Sequence, residues 1–115
     1  MITTGEFIEM LAGDYSWITG EDFGDPDDIL LRKNCARILH RYLQKVMHEP
    51  DETECLPVRS DIPDLFDCRI CAPHIVQVIA KGIMEPFDDG GIKLFKGDRE
   101  VTEKEAETFV SRISA

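Results

Sequence analysis

Apolar residues recur at helical spacing in four stretches of the chain, separated by polar stretches that hold most of the glycines and prolines. The first, "ITTGEFIEMLAGD", places Phe7, Ile8, Met10 and Leu11 on a short helix opened by Thr3 or Thr4 and closed by Gly13. "YSWITGEDFGDPDD" has no period and reads as a loop whose Trp17 and Phe23 turn back onto the core. From Asp28 onward Leu31, Cys35, Ile38, Leu39, Tyr42 and Val46 share one face, while Arg32, Lys33, Arg37 and Arg41 fall off it. This is the long helix, with Asp27 or Asp28 as its cap, and it ends before Pro50 because a residue preceding proline disfavours helical geometry.

"PDETECLPVRSDIPDLFD" carries three prolines and predicts an irregular connection pinned by Leu56, Leu65 and Phe66. A third helix lies between Pro73 and Met84, with Ile75, Val76, Val78, Ile79, Ile83 and Met84 as apolar positions and a stop near Gly82. "EPFDDGGIKLFKGDRE" reads as a turn, a short extended piece "IKLF" and a second turn. The last helix starts at Thr102, in a capping box with Glu105, and buries Ala106, Phe109, Val110 and Ile113. The expected fold is all-α: a single domain over 1–115 with four helices, irregular loops and one short extended segment.

Length and composition narrow this picture. A chain of 115 residues fits one domain, and a hydrophobic fraction of 43% is enough to build a core. No apolar run approaches the roughly 20 residues of a membrane-spanning helix, and the N-terminus lacks the basic start and apolar stretch of a secretory signal. The expectation is therefore a cytoplasmic chain whose four cysteines are thiols or metal ligands rather than a disulfide framework. The formal charge of −10 disfavours nucleic acid and anionic membranes and attracts basic protein surfaces. "GEDFGDPDD" and "HEPDETE" concentrate that charge, so Glu21, Asp22, Asp25, Asp27, Asp28, Glu49, Asp51 and Glu52 are the expected partner-binding residues.

Candidate chemistry gathers in "DCRICAPH", residues 67 to 74. Cys68 and Cys71, placed where an irregular segment enters a helix, can present two sulfurs to one tetrahedral ion, and His74 lies one turn further on. Thiolate plus imidazole suits zinc better than magnesium or calcium. The fourth ligand expected is His40, at the margin of the long helix's apolar face, with Cys55 as the alternative; Cys35, at the centre of that face, reads as a buried thiol. A redox reading of Cys-x-x-Cys expects a thioredoxin-like βαβ setting, which the pattern does not supply. "HEPDE" lacks the second histidine of a zinc-protease helix, and no Gly-x-Ser-x-Gly, Walker loop or dinucleotide fingerprint occurs, so the expectation is a non-enzyme with a closed, structural zinc.

Three helix openings are alike: "ITTGEF", "LLRKNCARIL" and "VTEKEAETFVSRI". The last follows an aspartate-containing loop, a helix ending in Gly-Ile and a glycine-rich turn, and over residues 61–113 this succession resembles one repeat of the S-layer homology domain. The resemblance implies a helical scaffold and binding of a secondary cell-wall polymer. That family carries an aromatic after the histidine of its first helix and an arginine in the opening of its second. Here Ile75 follows His74, Thr4 and Glu103 stand at two of the arginine positions, and Arg32 stands at the third. In size, charge and lack of catalytic motifs the chain is also similar to phage anti-CRISPR inhibitors. The leading expectation is thus an acidic, zinc-stabilised protein that inhibits a basic partner, such as a nucleic-acid-handling enzyme of the CRISPR-effector kind; the alternative is a diverged wall-polymer module with its site around Arg32.

Overall fold

The structure, a computed structural model, describes residues 2–11 and 25–114, apart from the side chains of Leu56, Pro57 and Ser114. Gly13, Trp17, Phe23, Glu21 and Asp22 lie outside the described residues. The elements are α1 (Thr4–Leu11), α2 (Arg32–Lys45), α3 (Leu56–Asp61), a 3₁₀ turn (Leu65–Asp67), α4 (Ala72–Ala80), β1 (Phe87–Asp89), β2 (Ile92–Leu94) and α5 (Glu103–Ser114). The fold is mainly helical, as expected, but it is not purely all-α. β1 and β2 pair antiparallel in the register Phe87↔Leu94 and Asp89↔Ile92, around Gly90 and Gly91, both at positive φ. Two adjacent glycines at positive φ are what a two-residue hairpin turn requires.

The local signals at two helix starts hold. Thr3 and Glu6 cap each other at α1, with N–H to side-chain distances of 3.0 and 3.2 Å, and Thr102 and Glu105 do the same at α5 at 3.0 and 3.1 Å. Four other expectations are corrected. Asp27 and Asp28 do not cap α2, because Ile29 to Leu31 run extended and Leu31 stands at the cap position. The proline-rich connection contains α3, since Pro57 sits in its first turn, where the missing N–H costs nothing. Phe66 does not pin that connection, being 57% exposed, whereas Leu65 is fully buried. Val46 is 38% exposed, because α2 ends one residue before it.

The three similar openings meet. Ile2, Leu30 and Val101 each stand two residues before a helix, and all three are buried. The Leu30 N–H donates to the Ile2 carbonyl at 3.0 Å, and the Val101 N–H donates to the Leu30 carbonyl at 2.9 Å. Bridges Thr3↔Ile29 and Leu31↔Glu100 flank these bonds. The openings of α1, α2 and α5 therefore lie side by side with α2's in the middle, and their backbone groups are satisfied by one another.

Around this centre the core is contiguous, with Phe7, Leu30, Ile38, Leu39, Leu65 and Phe95 among its fully buried side chains. Asp64 ties the 3₁₀ turn to the end of β2 by accepting the N–H groups of Phe95 and Lys96 at 2.8 and 2.9 Å. Gly82, at φ 75°, turns the chain out of α4, and Ile83 and Met84 beyond it are buried. Among the described residues, no helix is long and apolar enough to cross a membrane.

Candidate functional site

The expected ligands fall into two places. His40 projects from α2 and is 4% exposed; His74, the third residue of α4, is half-buried and faces it. Their Nδ1 atoms are 2.8 Å apart, with the rings edge to face at 5.0 Å between centroids. On its other side, His40 Nε2 lies 2.7 Å from Asp51 Oδ1. A carboxylate only accepts, so His40 donates through Nε2. The inner contact then holds one proton between two nitrogens, on His74 when both rings are neutral or on His40 when that ring is charged.

Burial, and after it the positive charges of His40, Arg41 and Arg37, drive the His74 pKa down to about 4, against a smaller opposing pull from Asp51. At Asp51, burial acts to raise the carboxyl, but the His40 hydrogen bond and charge, Gln44 and Lys81 together hold it below its ordinary value.

The acidic segment that follows α2 is fixed against α4. His48, at φ 53°, reverses the chain, and Gln77 then grips Glu52 as a neighbouring strand would. Its Oε1 accepts the Glu52 N–H at 2.8 Å, and its Nε2 donates to the Glu52 carbonyl at 3.0 Å. Lys81 donates to the Pro50 carbonyl at 2.8 Å and stands 3.6 and 3.8 Å from the carboxylates of Glu49 and Glu52. Glu49, Asp51, Glu52 and Glu54 are all exposed on this held segment, and Asp51 and Glu52 line a cleft of about 320 Å³ together with His40, Cys55, Arg59 and Gln77.

Asp25, Asp27 and Asp28 are exposed too, on a separate turn. Two of these carboxylates serve their own backbone: Asp25 accepts from the Asp27 N–H at 2.9 Å, and Asp28 from the Asp25 N–H at 3.0 Å. The turn's carbonyls at Pro26 and Asp28 accept the first N–H groups of α1.

Cys68 and Cys71 are joined to each other as a disulfide, their Cα atoms 5.2 Å apart. The arrangement differs from the expected zinc tetrahedron. A sulfur in a disulfide has no thiolate to offer, and two imidazole nitrogens on one tetrahedral zinc stand about 3.3 Å apart, not at the separation of a shared proton. Among the described residues no group of three His, Cys, Asp or Glu side chains is placed to hold a metal ion.

Cys55, the alternative ligand, is a buried free thiol that donates to the Glu52 carbonyl at 3.4 Å. Cys35 is a buried thiol in the core, as its place on α2 predicts, and burial pushes its pKa up, which makes it inert. The Cys68–Cys71 bridge closes only a four-residue loop, for which the chain-entropy account gives about 2 kcal/mol, so cross-linking is a small part of what holds this fold.

Arg32 was expected away from the core face, yet it is 3% exposed. Its Nε donates to the Phe95 carbonyl at 2.9 Å and its Nη2 to the Glu85 carbonyl at 2.7 Å, while its guanidinium lies 4.5 and 4.6 Å from the ring centres of Phe87 and Phe95. This is a cation used internally. Gln77, Lys81 and Asp64 were missed by sequence reasoning. The signal for Gln77 is present, an amide inside the apolar run "IVQVIA" that burial obliges to find partners.

No protein-family model matches the chain, and neither a curated protein nor a solved structure matches it.

Proposed function

We propose that the chain is a non-enzymatic binding protein whose acidic face engages a basic protein surface of the kind nucleic-acid-handling enzymes use to hold phosphates. The observation that carries this reading is the segment 49–54, where four exposed residues carry carboxylates on a backbone held in place by Gln77 and Lys81, with the Asp51 carboxylate itself held by His40. A pre-ordered anionic edge loses little conformational freedom on binding, and the net charge of −10 steers a cationic partner toward it. Asp25, Asp27 and Asp28 extend the same chemistry on a second turn, and inhibition follows if the covered surface is the one that holds phosphate.

A second reading, a module for an anionic wall polymer, draws on the meeting of the three helix openings, which is how a repeat-built scaffold would pack. Arg32, the cation it relies on, is committed to carbonyls and rings. Binding to a panel of basic nucleic-acid-binding proteins and to isolated cell-wall sacculi, across a salt series, separates the two. The first reading expects capture of a basic protein that weakens as salt rises and that falls at least tenfold in Glu49→Gln/Glu52→Gln/Glu54→Gln. Retention on sacculi alone defeats it.

A further inference from the structure

The two sulfurs of the Cys68–Cys71 pair are unequally accessible. Cys68 is half-buried and lines an open cleft of about 170 Å³, while Cys71 is 1% exposed. The cleft wall is mixed in charge, with Lys33, Lys96 and Arg99 beside Asp64, Asp67 and Asp98 and with Lys33 paired to Asp98 at 2.7 Å, so access to Cys68 rather than charge distinguishes the two sulfurs. Two residues to either side of Cys68, Phe66 and Ile70 are 57% and 68% exposed, an apolar surface beside the bridge that the fold itself does not cover. Cys71 occupies the cap position of α4, which has no side-chain cap bond. A helix N-terminus stabilises a thiolate, and a cap side chain ordinarily accepts from the second or third helical N–H. Pro73, the second residue, has none, which leaves the N–H of His74.

We propose that the Cys68–Cys71 disulfide is a thiol–disulfide exchange site that takes two electrons from a protein or peptide dithiol. The first thiolate of the dithiol attacks Cys68 Sγ, the Cys68–Cys71 bond breaks, and the electron pair leaves on Cys71 Sγ. The product is a mixed disulfide between the substrate and Cys68, with Cys71 as a thiolate at the start of α4. The second substrate thiolate then attacks the first substrate sulfur and expels Cys68. The substrate departs as a disulfide, the protein keeps a dithiol, and the two protons released by the substrate thiols end on Cys68 and Cys71. This chemistry is independent of the acidic face, since it reads sulfur oxidation state rather than charge.

The test uses the folded chain and a reduced synthetic peptide with two cysteines beside apolar residues, in oxygen-free buffer, followed by acid quench, alkylation and peptide mass mapping. The expected result is reduction of the 68–71 pair with one peptide disulfide formed per protein and an unchanged circular dichroism spectrum. In Cys71→Ser, pre-activated on Cys68 as a mixed disulfide with a thiol dye, the same peptide with one of its cysteines replaced by serine should displace the dye and remain attached to Cys68, whereas the two-cysteine peptide should displace the dye and then leave as its own disulfide. Three results would each overturn the proposal: a wild-type pair that is reduced only after denaturant is added, a wild-type adduct mapped to Cys71, or purified protein with both sulfurs as thiolates on zinc. The wild-type measurement decides the question even if the variant does not fold.

Discussion

His74 shows how a single side chain can set the acid limit of this molecule. Its folded pKa of about 4 lies below the ordinary histidine value of 6.5, so the folded state takes up a proton less readily than the unfolded chain. The stability linked to this group is fully present above about pH 6.5 and is lost as pH falls from there toward 4. Below that, Asp51 takes over, since a carboxylate held below its ordinary value withdraws stability as it protonates. Because the His74 ring is only partly buried, solvent screening reduces the effect to roughly 1–2 kcal/mol. Urea titrations at intervals between pH 7 and 4 should show a steady loss in the wild type and a shallower slope in His74→Gln. Equal slopes would mean that the His40–His74 contact does not govern acid sensitivity.

Among the elements, those with local causes were readable and those with distant causes were not. The capping box of α5 needs only four consecutive residues and forms as the sequence indicates, and at α1 Thr3, one of the two expected caps, forms a reciprocal pair with Glu6 that was not foreseen. Thr102→Ala should therefore lower unfolding stability by about 1 kcal/mol in urea titration, with Thr102→Ser close to wild type; an unchanged alanine variant would remove the cap from the account of α5. The hairpin was only half visible, as the extended piece "IKLF", because its partner strand is three residues long and follows a proline. α3 was hidden by Pro57, which reads as a breaker until its place in the first turn is known. At the candidate site, the sequence brought the cysteines and histidines under suspicion together, but partner choice is a matter of three dimensions. Cys68 found Cys71 three residues away, while His74 found His40 on another helix.

At the scale of the whole molecule, Arg32 is the clearest long-range tie, since its side chain joins the opening of α2 to residues 85, 87 and 95 around the hairpin. A charge in a helical pattern reads as solvent-facing, and only the packed chain reveals that two carbonyls and two rings were waiting for it. Arg32→Met leaves those carbonyls without their donor and should cost about 2–3 kcal/mol in a cooperative urea transition; a loss under 0.5 kcal/mol would show that the buried guanidinium only breaks even. The meeting of the three helix openings has a consequence for biosynthesis. Leu30 cannot complete its hydrogen bonds until Val101 has been made, so the ribosome must release nearly all of the described chain before the centre can close. Until then α1 and α2 hold a seam with an open side, and its apolar residues are what a chaperone would meet on the nascent chain.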